Sequence, residues 1–360
     1  MSQRISPPAG QHLPLIDAVK AIASQLIILH HLAFYGPMSD YVSPLAPDLM
    51  DWLSQHARIA VQLFLVIGGF LAAQSLARNG RVANRPFSQI VWHRYRKLAT
   101  PYVFTLLLAI VAAAFSHSLI AHDSIPETPS LLQFFAHVFL LHGVLGFDGL
   151  SAGVWYVAID FQLYVLLLIV LQLTFREGRK PHAAYITTIA LIILSLYVFN
   201  RDPAWDSWAV YFFGAYGLGT MAYWGTQRHR ISGWFVATLI LTTIALLVDF
   251  RLRIFVALLT AIGLGAARTT GLLETWPRSR LLAWLAKISY SVFLIHFPVC
   301  VVINAIFERF VPHSPILQAT GILLAWAGSI ACGAALHNLL ERRVTTRTTT
   351  SNRVVATATP

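Results

Sequence analysis

The stretch DAVKAIASQLIILHHLAFY, Asp17 to Tyr35, reads as a membrane helix, yet it carries an aspartate, a lysine, a serine, a glutamine and two histidines. Ionisable groups in hydrocarbon are costly, so they normally face a protein interior or a watery cavity and are there for function. At about 100° per residue, Lys20 projects roughly 20° from His31, Ser24 about 20° to the other side and Asp17 about 40° away. These four share a face, whereas His30 and Gln25 are turned from it by about 100° and about 120°. Along the helix Lys20 and His31 are about 16 Å apart. Lys20 is expected near the cytoplasmic mouth and His31 in the outer half. One side of this helix is therefore expected to line a site reaching across the membrane. The plainer alternatives are a lysine snorkelling to the interface and a histidine satisfied by a neighbouring helix.

The rest of the chain agrees with a membrane setting. At 57% hydrophobic and 11% charged over 360 residues, with a mean hydropathy of +0.64, it has too little polar surface to cover a soluble globule. The expected fold class is all-α, a polytopic helical bundle in the lipid bilayer. Apolar runs long enough to span fall near 13–35, 58–77, 98–118, 154–175, 183–200, 207–225, 232–249, 252–267, 286–309 and 316–340. The net charge of +11 is spread in short clusters between these runs, which points to topology and not to nucleic acid. Cys300 and Cys332 sit in apolar runs, where they are expected to be small buried thiols, and no metal site is expected. Residues 1–12 are expected to form a polar cytoplasmic segment without a cleavage signal, 13–340 the membrane domain, and 341–360 a disordered tail. No repeat of one half in the other is visible, and the Gly68-Gly69 pair reads as close helix packing.

The run LLQFFAHVFLLHGVLGF, 131–147, is also apolar enough to cross, and charge decides against it. If it stays at the outer face within a loop or re-entrant region, 131–153, then 21 Lys and Arg residues lie on the cytoplasmic side and 5 outside. If it crosses, the count becomes 12 against 14. The first arrangement obeys the positive-inside rule and places both termini in the cytoplasm.

Three further clusters carry polar groups. In WYVAIDFQLY, Trp155 to Tyr164, Asp160 lies about 7 Å below Trp155, at a depth near that of His31. It is expected either to orient His31 as a base or to serve as a structural carboxylate held by Gln162, Tyr or Trp donors. In WHRYRKLATPY, 92–102, Arg94, Arg96 and Lys97 form a positive density able to hold phosphates, or else a topology signal. In KISYSVFLIHFPV, 287–299, His296 lies about 15 Å along its helix and, taken alone, reads as a packing histidine.

In order and wording these clusters resemble the acyltransferase-3 family of integral membrane acyltransferases, over about residues 13 to 340. Asp17, Lys20 and His31 match its first-helix spacing. VQLFLVIGGF (61–70) is similar to its Phe-Phe-Val-x-Ser-Gly-Phe helix, RYRKLATPY (94–102) to its Arg-x-x-Arg segment, WYVAIDFQLY to its Trp-x-x-x-x-Glu-x-Gln-Phe-Tyr, and ISYSVFLIHFPV (288–299) to its Ile-Ser-Tyr-Ser-x-Tyr-Leu-x-His-x-Pro. Lys20 and Lys97 stand where arginine is usual, Gly68 where serine is, and Asp160 where glutamate is.

The resemblance implies a bacterial inner-membrane enzyme that takes an acyl group, often acetyl, from cytoplasmic acyl-coenzyme A as co-substrate, with no permanently bound cofactor. The implied acceptor is a hydroxyl of an envelope carbohydrate or lipid-linked glycan. His31 carries over as base or acyl relay and Arg94 and Lys97 as donor contacts; Arg96 is expected to join the donor contacts, and Asp160 and Lys20 to take part in catalysis with His31. Asp17, Ser24, Trp155, Gln162, Tyr164, Tyr290 and His296 are expected to support them. An imidazole, titrating near about 6.5 in water, suits the activation of a hydroxyl. The competing class is a transporter using intramembrane Lys, Asp and His as a proton relay.

Overall fold

The computed structural model describes residues 13–78, 81–82, 86–174 and 182–341. The polar segments expected at 1–12 and 341–360 lie outside these residues, apart from Glu341.

The described residues form fourteen α-helices. They are α1 (Pro14–Phe34), α2 (Pro37–Val42), α3 (Pro47–Gln55), α4 (Val61–Leu76), α5 (Phe87–His117), α6 (Leu131–Val138), α7 (Val154–Thr174), α8 (His182–Tyr197), α9 (Ala209–Gly225), α10 (Gly233–Val248), α11 (Leu252–Thr270), α12 (Leu272–Thr275), α13 (Arg280–Phe310) and α14 (Pro315–Leu336). Two short antiparallel hairpins, Ala77–Arg78 with Arg81–Val82 and Thr226–Gln227 with Arg230–Ile231, reverse the chain after α4 and α9.

Each of the ten apolar runs falls on a helix. Eight helical stretches are long and apolar enough to cross a membrane, and the other two runs form α9 and α10, of 17 and 16 residues. Large apolar side chains such as Val111, Leu173, Leu247 and Leu323 point outward along these helices. In water that surface is unfavourable; in lipid it is the solvated face. The protein is a helical membrane bundle.

The run 131–147 does not form one long helix. Only Leu131–Val138 is helical, started by the Ser130 hydroxyl accepting from the Gln133 N–H. Eight residues rise about 12 Å, too little to cross. The chain then turns at Leu140, whose φ is +60°, and again at Gly146, φ +74°. Both ends of the segment therefore stay at one end of the bundle, with 121–127 and 148–152 around a shared cleft.

Two packing features position the site. Long α13 lies against α1, α5 and α14. α4 and α9 meet backbone to backbone: a Cβ on Gly69 would fall 1.8 Å from the Tyr216 carbonyl oxygen, and one on Gly219 would fall 1.8 Å from that of Val66. Close packing thus accounts for Gly69 but not for its neighbour. Gly68 faces the Tyr216 ring and the Asp160 carboxylate, which a Cβ would meet at 3.3 and 3.5 Å.

Candidate active site

The C-terminal half of α1 meets the middle of α13. There His31 Nδ1 lies 2.6 Å from His296 Nε2, and both rings are buried. The ring planes differ by 6° and the centroids are 4.8 Å apart. That separation is the N···N distance plus one ring radius on either side, so the rings lie edge to edge and nearly coplanar, with one N–H aimed at an in-plane lone pair.

Protons can be assigned from the next partner. His296 Nδ1 is 2.7 Å from the Phe293 carbonyl oxygen. A carbonyl only accepts, so Nδ1 of His296 carries hydrogen. In the neutral ring Nε2 is then bare and accepts from the Nδ1–H of His31. Nε2 of His31 is left with its lone pair, and no described residue hydrogen-bonds to it. A fixed tautomer of this kind, set by a second ring and a backbone carbonyl, makes a directed base. When Nε2 takes a proton, His296 Nε2 keeps accepting from the charged ring.

His30, turned away from the stripe, ties α1 to α3 through Nδ1 and the Leu53 carbonyl at 2.9 Å. Gln25 accepts from the Trp326 indole at 2.9 Å on α14. Ser24 is buried and donates back to the Ala21 carbonyl. Asp17 and Lys20 lie half-buried near the start of α1. Asp17 lines a cavity of about 460 Å³ with Glu274, Arg278 and Arg280. The stripe thus runs between two ends of the bundle.

Asp160 does not reach His31. Its Oδ2 accepts from Arg94 Nη2 at 2.5 Å, and the guanidinium carbon sits 4.8 Å from the Tyr164 ring centroid. The expectation that Asp160 orients the imidazole is therefore corrected: a fixed cation on α5 outcompetes a neutral ring for a carboxylate, and His296 supplies the orientation. Arg94 is likewise separated from its expected companions. Its charge is spent inside the bundle, whereas Arg96 and Lys97 are exposed on the same helix. Gln162 holds neither group. It accepts from the Ala209 N–H at 3.0 Å and donates to the Ser207 carbonyl at 3.3 Å, pinning the start of α9 to α7. Tyr290 donates to the Leu98 carbonyl at 2.9 Å, locking α13 to α5.

Sequence reasoning expected His296 as a supporting residue but missed that it is the direct partner of His31; their separation of 265 residues hides the pair. It also missed Tyr216, buried beside the ion pair. Between the two polar pairs lie Tyr156 and Phe293, ring to ring at 5.5 Å, with Phe293 6.1 Å from His296.

Above the histidines a cleft of about 1690 Å³ opens at the end of the bundle that carries Tyr35, Trp155 and the 142–152 turn. Tyr35 and Phe297 line it. Their rings meet at 5.2 Å, and Tyr35 lies 5.5 Å from the His31 ring. The coplanar pair is therefore one side-chain layer below the cleft floor. Trp155 is exposed in the wall.

A family model described as an acyltransferase domain matches residues 13–336. The chain belongs to the acyltransferase-3 family. Membership supports a membrane acyltransferase and favours that class over a carrier. The chain is also similar to "Regulator of hypoxia-inducible factor 1" from Caenorhabditis elegans, 25% identical over 193 residues. That match covers 49% of this chain and 38% of the relative, so the acyltransferase-3 chain spans well under half the relative's length. No solved structure matches it. Among the described residues no group of three or more His, Cys, Asp or Glu side chains is placed to hold a metal.

Proposed function

We propose that the acyltransferase-3 chain moves an acyl group, typically acetyl, from acyl-coenzyme A at the cytoplasmic face to a hydroxyl of an envelope carbohydrate or lipid-linked glycan in the outer cleft. The observation that carries this reading is the chain from the Phe293 carbonyl through His296 to His31, which leaves Nε2 of His31 bare just below the cleft floor.

In the proposed reaction Nε2 of His31 removes the proton of the acceptor hydroxyl as its oxygen attacks the thioester carbonyl carbon. A C–O bond forms, the C–S bond breaks, and the departing thiolate takes the proton back from the imidazolium. Were Nε2 first to attack the thioester itself, the same nitrogen would carry the acyl group. Arg96 and Lys97 are exposed cations that would face coenzyme phosphates. Arg94 and Asp160 act one layer away, fixing α5 against α7. The setting that fits is a bacterial inner membrane, and the charge count supports cytoplasmic termini.

The test is vectorial. In sealed vesicles from a strain expressing the chain, acetyl-labelled coenzyme A supplied to the cytoplasmic face should label carbohydrate on the opposite face. Thioester consumption with no label in any envelope fraction would count against an acceptor of this class.

A further inference from the structure

The outer cleft has a second pair of histidines that the reaction does not use. His137 on α6 and His142 in the following turn stack face to face, with centroids 4.1 Å apart and planes differing by 9°. They are 0% and 2% exposed. His137 is fully engaged: Nδ1 donates to the Gln133 carbonyl at 2.8 Å and Nε2 accepts from the Leu150 N–H at 3.2 Å. It is thereby fixed as a neutral ring and serves as a platform.

His142 differs. It lines the cleft, and both of its ring nitrogens are buried without a hydrogen-bond partner. No other described residue of the cleft wall has such a buried, unpartnered side-chain atom. Two of the three cleft arginines, by contrast, are spoken for. Arg251 donates to Asn200 and to the Leu196 carbonyl at 2.8 and 2.9 Å, and Arg253 to the Asn200 carbonyl at 2.7 Å. A buried polar group left unpaired costs a few kcal/mol in general, and folding tolerates that where a ligand later supplies the partner.

We propose that His142 is an acceptor-positioning residue, recognising a neutral polyhydroxyl group in the cleft by donating to one hydroxyl and accepting from another. This rests on the acyl-transfer reading and deepens it. The chemistry follows from the ring: a neutral imidazole offers one donor and one acceptor on diverging edges, which matches two separate hydroxyls of a polyol and not a phosphate, which needs donors only. Burial, with His137 alongside, keeps the ring neutral by pulling its pKa down to about 3. The wall carries four carboxylates against three arginines, so it is no anion trap. The turn is held in place from below: Gly143 packs on Ser207, whose carbonyl Gln162 binds.

The experiment has two arms on the full chain in nanodiscs. In the first, ring-¹⁵N-histidine spectra are recorded, with the His142 signals identified by their loss in His142→Phe and His142→Asn. Titration with glucose, a neutral polyol, should shift both signals, and inorganic phosphate should leave them in place. Unmoved signals with glucose, or signals moved by phosphate, would overturn the proposal. In the second, transfer from acetyl-coenzyme A to an envelope carbohydrate extract is followed. His142→Phe should raise the acceptor KM at least tenfold with the acetyl-coenzyme A KM unchanged and the melting temperature unchanged or higher. His142→Asn, which restores a donor and an acceptor, should recover part of the loss. An unchanged acceptor KM in His142→Phe would also overturn the proposal. Absence of acceptor-dependent transfer in the parent protein would instead sink the acyl-transfer reading, with the spectra still deciding the role of His142.

Discussion

Nδ1 of His31 and Nε2 of His296 approach to 2.6 Å in nearly one plane, and His296 is in turn fixed by the Phe293 carbonyl at 2.7 Å. The alignment makes His296 a positioning residue whose only demand is an acceptor atom facing His31. His296→Gln, with a carbonyl oxygen near the former Nε2, should keep more acyl transfer than His296→Ala, which is expected to fall about 10²-fold in kcat with the donor KM little changed. Steady-state kinetics of the two variants side by side check this; equal losses would mean that His296 merely fills space.

The Arg94–Asp160 pair, 2.5 Å apart with side chains 25% and 10% exposed, behaves as a linked unit. Asp160→Asn leaves a guanidinium in the bundle without its counter-charge, at a cost of about 3 kcal/mol. Pairing Asp160→Leu with Arg94→Met should recover much of the loss, with a coupling of about 1 to 3 kcal/mol in a double-mutant cycle. Thermal unfolding in one fixed detergent measures it. Additive losses would show that the two groups do not sense each other.

Arg96 and Lys97 are exposed on α5. Neutralising both with glutamine should raise the acyl-coenzyme A KM about tenfold, with an effect that shrinks as salt rises. Donor titrations at low and high ionic strength would reveal it; a salt-independent change would place the phosphates elsewhere.

Much of this fold was legible because lipid imposes a simple rule on sequence: a helix that crosses must be predominantly apolar over about 20 residues. All ten runs accordingly became helices, and the 131–147 exception was exposed by charge before its turn at Leu140 was seen. The projection of α1 likewise separated His31 from His30, since one helix fixes its own faces. What the residues did not reveal were pairings between helices. Asp160 and His31 were matched by depth alone, but depth says nothing of which helices are neighbours: α13 abuts α1, and α5 abuts α7. His137 and His142 went unremarked because an apolar run drew attention to whether it crosses, not to what it holds.

Burial and the neighbouring His137 lower the pKa of His142 to about 3, while in the unfolded chain it titrates near about 6.5. Between those values the unfolded chain binds the extra proton, so this group destabilises the fold as pH falls below about 6.5. Lowering the pH from about 7 to about 5 should therefore depress the melting temperature of His142→Phe less than that of the parent protein. Parallel curves would contradict the burial of a neutral ring.

The central claim is that Nε2 of His31, fixed by His296, receives the acceptor proton. It is tested most directly by release of free coenzyme thiol from acetyl-coenzyme A in the presence of envelope carbohydrate, comparing the purified protein with His31→Ala. The account predicts a fall of about 10² to 10⁴-fold in kcat with the fold intact. Thiol release unaffected by His31→Ala would contradict it.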